Sequence, residues 1–317
     1  MDLTPARLDR AAGALLGMAA GDALGAGYEF GPPVPDSERV FMKGGGSFDW
    51  APGEWTDDTS MAVPIARALA EGADLRDEAV LDGIVASWVD WAATAPDVGI
   101  QLGAILRSTA PNAAAVRVVA RELHDRTGRS GGNGSLMRTA PVALGYLDDA
   151  EALAVAARAV SDLTHYEADA GDACVIWSLA IRHAVVTGEL DVRVGIPALP
   201  AERRALWLAR IEEAEAKRPA DFERNGWVVE ALQGAWSAIA RAESLAEGIE
   251  LAVRGGRDAD TVAAIAGGLI GASRGASAVP SDWREIVHGW PGLRSADLVE
   301  LATRGARAGL SAGSSAG

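Results

Sequence analysis

The sequence predicts an all-α protein, and three observations carry that prediction. Apolar residues recur at helical spacing almost without a break from about residue 58 to residue 308. Gly, Pro or Asp punctuates most joints between these periodic segments, as at Asp74, Pro96, Pro111, Asp148 and Gly188. Alternating β-branched runs are scarce, and residues 191–196 form the only strand-like piece. With 317 residues the chain can bury a large core. Neither a repeat nor a convincing linker divides it, so one compact domain is expected over 1–308.

The first helix is expected over 7–25. Small residues recur there every three or four positions, which lets neighbouring helices approach closely and marks a central buried element. Asp22 is out of place in it, because a buried carboxylate needs a partner. It either braces a neighbouring backbone or belongs to a site. Glu29 follows where the helix gives out. The Gly/Pro-rich stretch 31–53 has no helical period and is long enough to serve as a mobile cover. Beyond it, periodicity places helices at about 58–72, 77–95, 99–108, 112–127, 135–146, 149–163, 167–187, 200–217, 225–241, 243–254, 259–274 and 295–308. Residues 189–224 are richer in Pro and charge and read as a peripheral excursion. The Gly/Ser/Ala-rich residues 309–317 read as a disordered tail.

Composition narrows the function. The chain is 49% hydrophobic and 23% charged, ordinary for a soluble globular protein. A formal charge of −15 argues against a nucleic-acid or anionic-membrane surface, both of which need a basic footprint. The single cysteine, Cys174, excludes an intrachain disulfide framework and reads as a small apolar residue inside a helix. There is no signal-like apolar core at the start and no apolar run of membrane-crossing length. A cytoplasmic protein is expected, and a monomer, because no segment demands an oligomer. Ten tryptophans are more than usual. Trp88, Trp91, Trp177, Trp207 and Trp236 read as core, whereas Trp55 adjoins an acidic cluster and is placed to wall a site.

That cluster is Thr56-Asp57-Asp58-Thr59, standing at the mouth of an amphipathic helix. Alone it reads as an acidic N-cap, since side-chain oxygens satisfy free N–H groups there and negative charge opposes the helix dipole. A second such stretch, Asp258-Ala259-Asp260-Thr261, opens another apolar helix. Packed together without cations, these carboxylates would repel and one would take up a proton. Oxygen-only ligands favour magnesium, calcium or manganese over zinc, so the pair points to a two-metal site. Asp97 lies at a helix break and, from spacing alone, reads first as a cap. The glycine-rich segment from Gly128 to Arg138 offers backbone N–H groups to phosphate, although it matches no nucleotide-binding fingerprint. His165 sits in a joint between helices, with Tyr166 beside it. No Ser/His/Asp triad or Cys/His pair is apparent.

In this order the segments resemble the ADP-ribosylglycohydrolase family, which includes dinitrogenase reductase-activating glycohydrolase and ADP-ribosyl-acceptor hydrolases. The resemblance rests on Gly13 through Gly25 with Glu29, Trp55 to Thr59, Asp97-Val98-Gly99, Gly132 to Arg138, Thr164-His165, and Asp258 to Thr261 running on to Ala272. It implies an all-α domain holding two Mg2+ or Mn2+ ions. Thr56, Asp57 and Asp58 would ligate from one helix mouth, and Asp258, Asp260 and Thr261 from the other. Asp97 or Glu29 would move protons. Gly99, Gly131, Gly132, Asn133, Gly134, Ser135, Met137, His165 and Tyr166 would bind the ADP-ribose. The implied activity is hydrolysis of the N- or O-glycosidic bond joining ADP-ribose to a protein side chain, arginine first and serine second. The implied partner is an ADP-ribosylated protein or an ADP-ribose-containing small molecule. The rival readings are a catalytically silent ADP-ribose-binding relative and an all-α magnesium-dependent isoprenoid synthase. The latter needs a third acid after Asp57-Asp58, where this chain has Ser60, Met61 and Ala62.

Overall fold

The computed structural model describes residues 2–313, and side chains as far as Leu310. Helix follows helix: α1 (Pro5–Gly25), α2 (Asp57–Ala70), α3 (Glu78–Ala92), α4 (Ile100–Leu106), α5 (Ala113–Thr127), α6 (Ala150–Asp162) and α7 (Ala168–Thr187). Then come α8 (Ala201–Ala216), α9 (Val228–Ile239), α10 (Leu245–Arg254), α11 (Ala259–Arg274), α12 (Ser281–Ile286) and α13 (Ser295–Gly313). The only sheet among the described residues is a two-residue antiparallel pair, β1 (His288–Gly289) with β2 (Leu293–Arg294).

α1 starts cleanly, because the Thr4 hydroxyl accepts the Arg7 N–H and Pro5 occupies the first turn. From Ala11 to Gly25 every residue is buried. The helix packs along α11, and the reason is a seam of glycines. A Cβ on Gly13, Gly17, Gly21 or Gly25 would fall 2.2, 2.4, 2.1 or 2.3 Å from α11 backbone atoms. No side chain fits there, so the two backbones touch, and the mouth of α11 is held against the far end of α1. Around this pair stand α2, α7, α10 and α13 against α1, and α7, α9 and α10 against α11.

The structure departs from the sequence reading in several places. Residues 191–196 are not a strand: Val192–Ala198 is a 3-10 helix packed on α7, begun by the Asp191 carboxylate accepting the Arg193 N–H. The helix expected at 135–146 splits into 3-10 turns, Asn133–Ser135 and Ala140–Tyr146, because Pro141 has no N–H to donate to a continuous α-helix. The 189–224 stretch is more than an excursion, since α8 buries Trp207 fully and its indole donates to Asp172. α12 and the hairpin after it have too few residues to show a period. α13 runs on to Gly313, so the first residues of the expected tail are helical; the rest of the tail lies outside the described residues. The 31–53 segment lacks regular helix beyond the 3-10 turn Gly46–Phe48. It is tied down by Arg254, whose guanidinium donates to the Pro35 and Glu38 carbonyls. No helix among the described residues is long and apolar enough to cross a membrane.

Candidate metal centre and cleft

The mouths of α2 and α11 meet. The Thr56 hydroxyl lies 3.0 Å from Asp58 Oδ2 and 3.5 Å from Asp260 Oδ2, which bridges the two clusters directly. Asp22 supplies the floor: one oxygen accepts the Thr56 N–H at 2.8 Å, and the other accepts the Thr59 N–H and hydroxyl at 2.9 and 2.6 Å. Its two sequence readings are therefore both met, since it caps α2 and also faces the cluster. Oxygens of Asp22, Asp58 and Asp260 lie within 4.8 Å of one another, and so do oxygens of Glu29, Asp258 and Asp260. Asp260 belongs to both groups.

Electrostatics alone would not assemble this cluster. Burial, then the charge of neighbouring carboxylates, pushes Asp57, Asp58 and Asp260 well above the usual carboxylate range. Burial also raises Asp258 and carries Asp22 to about 6. Glu29 rises to about 9 through burial and then the nearby Asp97 and Asp258 charges. Three buried oxygens, Glu29 Oε2, Asp58 Oδ1 and Asp260 Oδ1, have no hydrogen-bond partner. Orphaned carboxylate oxygens in an all-oxygen donor set fit hard divalent cations, which neutralise the repulsion and use the free lone pairs.

Above the cluster opens a cleft of about 610 Å³. Glu29, Asp57, Asp258 and Thr261 line its floor and Asp97 and Gly99 one wall. Gly132, Asn133, Gly134, Met137 and His165 also line it. Thr56, Asp58 and Asp260 lie beneath, each no more than 1% exposed. Gly131, Ser135 and Tyr166 do not line the cleft. Gly131 backs onto the Glu167 carboxylate, Ser135 turns to Cys174, and Tyr166 is exposed beside His124 and Arg121. Asp97 is half-buried, and desolvation followed by the Asp258 and Asp22 charges brings it to about 6.

The glycine wall is fixed from behind. Asn133 donates to Asp258 Oδ2 at 2.8 Å and to the Asn225 carbonyl at 2.9 Å. Asn225 in turn accepts the Asp258 N–H and donates to the Gly256 carbonyl. Arg138 is fully buried over the Trp88 ring, and desolvation lowers it to about 9. It donates to the Thr164 hydroxyl, whose own hydrogen is then free for His165 Nδ1 at 2.8 Å. That chain assigns the imidazole proton to Nε2, which faces Gly132 and Gly134. Burial and Arg138 hold His165 well below the ordinary imidazole range, so it stays neutral.

Sequence reasoning missed Asn225, Gln101, Phe30 and Phe48. Gln101 straps α4 to the Ser130 and Thr164 carbonyls, and Phe30 and Phe48 form an edge-to-face pair at the cleft mouth. Phe30 is the one with a signal, a large apolar residue directly after Glu29 at the head of a Gly/Pro loop.

Known proteins match nearly the whole chain. The profile of the family described as ADP-ribosylglycohydrolase matches residues 3–312. The ADP-ribosylarginine hydrolase Tri1 of Pseudomonas putida (strain GB-1) is 32% identical over 288 residues, 90% of this chain and 76% of that protein. The ADP-ribosyl-[dinitrogen reductase] glycohydrolase of Rhodospirillum rubrum is 28% identical over 294 residues, 88% of this chain and 90% of that protein. A solved structure titled ADP-ribosylglycohydrolase-related protein complex superposes with a TM-score of 0.75 at 30% identity, covering 96% of this chain and all (100%) of its own.

Proposed function

The chain belongs to the ADP-ribosylglycohydrolase family, and on that footing we propose that it hydrolyses the N-glycosidic bond of ADP-ribosylated arginine in a protein, releasing ADP-ribose. The observation that carries this reading is Asp260, shared between two carboxylate groups beneath a cleft walled by glycine backbone. Two divalent cations, Mg2+ or Mn2+, would be held by Thr56, Asp57 and Asp58 from α2 and by Asp258, Asp260 and Thr261 from α11, with Glu29 at the edge. Bound there, they supply Lewis-acid fixation of ribose hydroxyls and a water of lowered pKa.

The chain's own residues do the rest. Asn133 and the backbone of 132–134 define where the distal ribose and diphosphate lie, with the His165 Nε2–H directed at that wall. Cleavage develops oxocarbenium character at the anomeric carbon. Water adds its hydroxyl to that carbon and its proton ends on the departing guanidine nitrogen. Asp97 is the group to move that proton, because it lines the cleft yet stands outside both carboxylate groups that would hold the cations. Glu29 belongs to the group with Asp258 and Asp260, so bound cations would hold it ionised.

The test is release of free ADP-ribose from an ADP-ribosylarginine protein, with Mg2+ and with chelator. Activity should disappear with chelator and fall at least about 100-fold in Asp258→Asn, as expected when a metal site is disrupted. Full turnover in chelator would overturn the cation assignment, and binding of ADP-ribose without release would leave a silent relative.

A further inference from the structure

A second, smaller cavity of about 270 Å³ stands behind the Asp57–Asp97 wall. The cleft and this cavity share Asp57, Pro96 and Asp97 as lining, so Asp97 faces both. Four tryptophans, Trp50, Trp55, Trp91 and Trp290, line it together with Glu54. No Lys, Arg or His contributes to the lining. Trp55 therefore walls this space rather than the main cleft.

Elsewhere the chain already seats guanidinium groups on indoles. Arg138 lies 4.1 Å from the Trp88 ring centre, Arg210 lies 4.6 Å from that of Trp207, and Arg224 lies 5.1 Å from that of Trp227. Among the described contacts, none of the cavity's four indoles carries a cation. An aromatic-lined space with carboxylates and no basic residue takes a flat, weakly hydrated cation in preference to a neutral hydroxyl-bearing group.

We propose that this cavity is the acceptor subsite, which receives the guanidinium end of the arginine side chain while the ADP-ribose occupies the cleft. The proposal rests on the hydrolase reading above and adds what that reading leaves open, namely where the acceptor lies and what selects it. Asp57 is committed to the cation site, so Glu54 and Asp97 provide the counter-charge. Asp97 stands at the boundary, where the departing nitrogen would separate from the anomeric carbon. A serine acceptor offers neither positive charge nor a planar face, and gains nothing from the four indoles.

The experiment uses the full chain with Mg2+, with Glu54→Gln and Trp290→Leu as variants. Agmatine, a guanidinium on an aliphatic amine, is titrated calorimetrically, and ADP-ribose is titrated separately. Arginine-linked and serine-linked substrates are then compared by kcat/KM. Wild type should bind agmatine, and each variant should weaken it about tenfold, in the range of a desolvated cation–π contact or a lost counter-charge. ADP-ribose affinity should hold, and the arginine-to-serine preference should fall by the same factor. Unchanged agmatine binding in both variants, or equal loss on both substrates, would overturn the subsite. A wild type that releases ADP-ribose from neither substrate would sink the hydrolase reading, yet agmatine binding lost in the variants would still uphold the cavity as a guanidinium site. Retention of both substrates' rates with no agmatine binding would sink the subsite and spare the hydrolase.

Discussion

Asp260 shows how one residue carries opposite demands. Its carboxylate is 1% exposed, stands beside Asp58, Asp258 and Glu29, and keeps one oxygen without a partner. For the metal-free fold such a group is a liability, because charging it in that setting is opposed by burial and by its neighbours. Asp260→Asn should therefore stabilise the chelated protein by on the order of 1 kcal/mol, read as a higher melting temperature, while abolishing hydrolysis and cation-dependent stabilisation. A variant less stable than wild type in chelator would mean that the carboxylate has an undetected internal partner. The two Asp/Thr clusters were legible in the sequence because each is contiguous and its chemistry is local. Asp22 was not resolved, since capping a helix and facing a cluster leave the same mark on a sequence. Gly131, Ser135 and Tyr166 adjoin cleft-lining residues in the chain yet do not line the cleft themselves. A loop without periodicity does not reveal which of two adjacent residues turns inward.

At the scale of the element, the glycine seam between α1 and α11 decides whether the two clusters meet. Gly25 abuts Asp260 itself, and Gly21 abuts Ala263, so widening the seam would pull the mouth of α11 away from Asp22. Gly17→Ala places a Cβ 2.4 Å from the Gly267 carbonyl oxygen, a backbone atom that cannot rotate aside. The expected loss is about 2 kcal/mol or more by urea unfolding, typical of overpacking, with weakened cation binding alongside. Gly83→Ala is the counterpart. Gly83 lies inside α3, is exposed, and a Cβ there meets nothing within 4 Å, so the change should stabilise by about 0.5 to 1 kcal/mol. If both substitutions cost the same, the seam is not a close contact. Small residues every three or four positions announced this packing from the sequence alone, and the long helices were equally plain. What stayed hidden lacked period: the turns around Pro141, the 3-10 segment Val192–Ala198, and the hairpin whose register rests on two residue pairs, His288 with Arg294 and Gly289 with Leu293.

For the whole molecule, the acidic centre ties stability to pH in a direction opposite to that of an ordinary ion-paired protein. Asp22 and Asp97 rise from 3.8 to about 6 on folding, and Glu29 rises from 4.5 to about 9. Between the unfolded and folded values the folded state keeps protons that the unfolded state has released. Unfolding there releases protons, so stability falls as pH rises. Below about pH 4 both states are protonated and the contribution is fully present; it is lost as pH climbs through 6 and then 9. Cations reverse the sign, because they bind the ionised carboxylates and must compete with protons for them. The chelated protein should therefore melt at a higher temperature at pH 5.5 than at pH 8.5. Adding Mg2+ should do little at pH 5.5 and much at pH 8.5, with roughly 2.7 kcal/mol gained at a hundredfold excess over its dissociation constant. Asp260→Asn should flatten both trends, since it removes the shared ligand and one source of repulsion. A Mg2+ effect of equal size at the two pH values would separate the raised carboxyls from cation binding, and the centre would have to be assigned to something other than a metal.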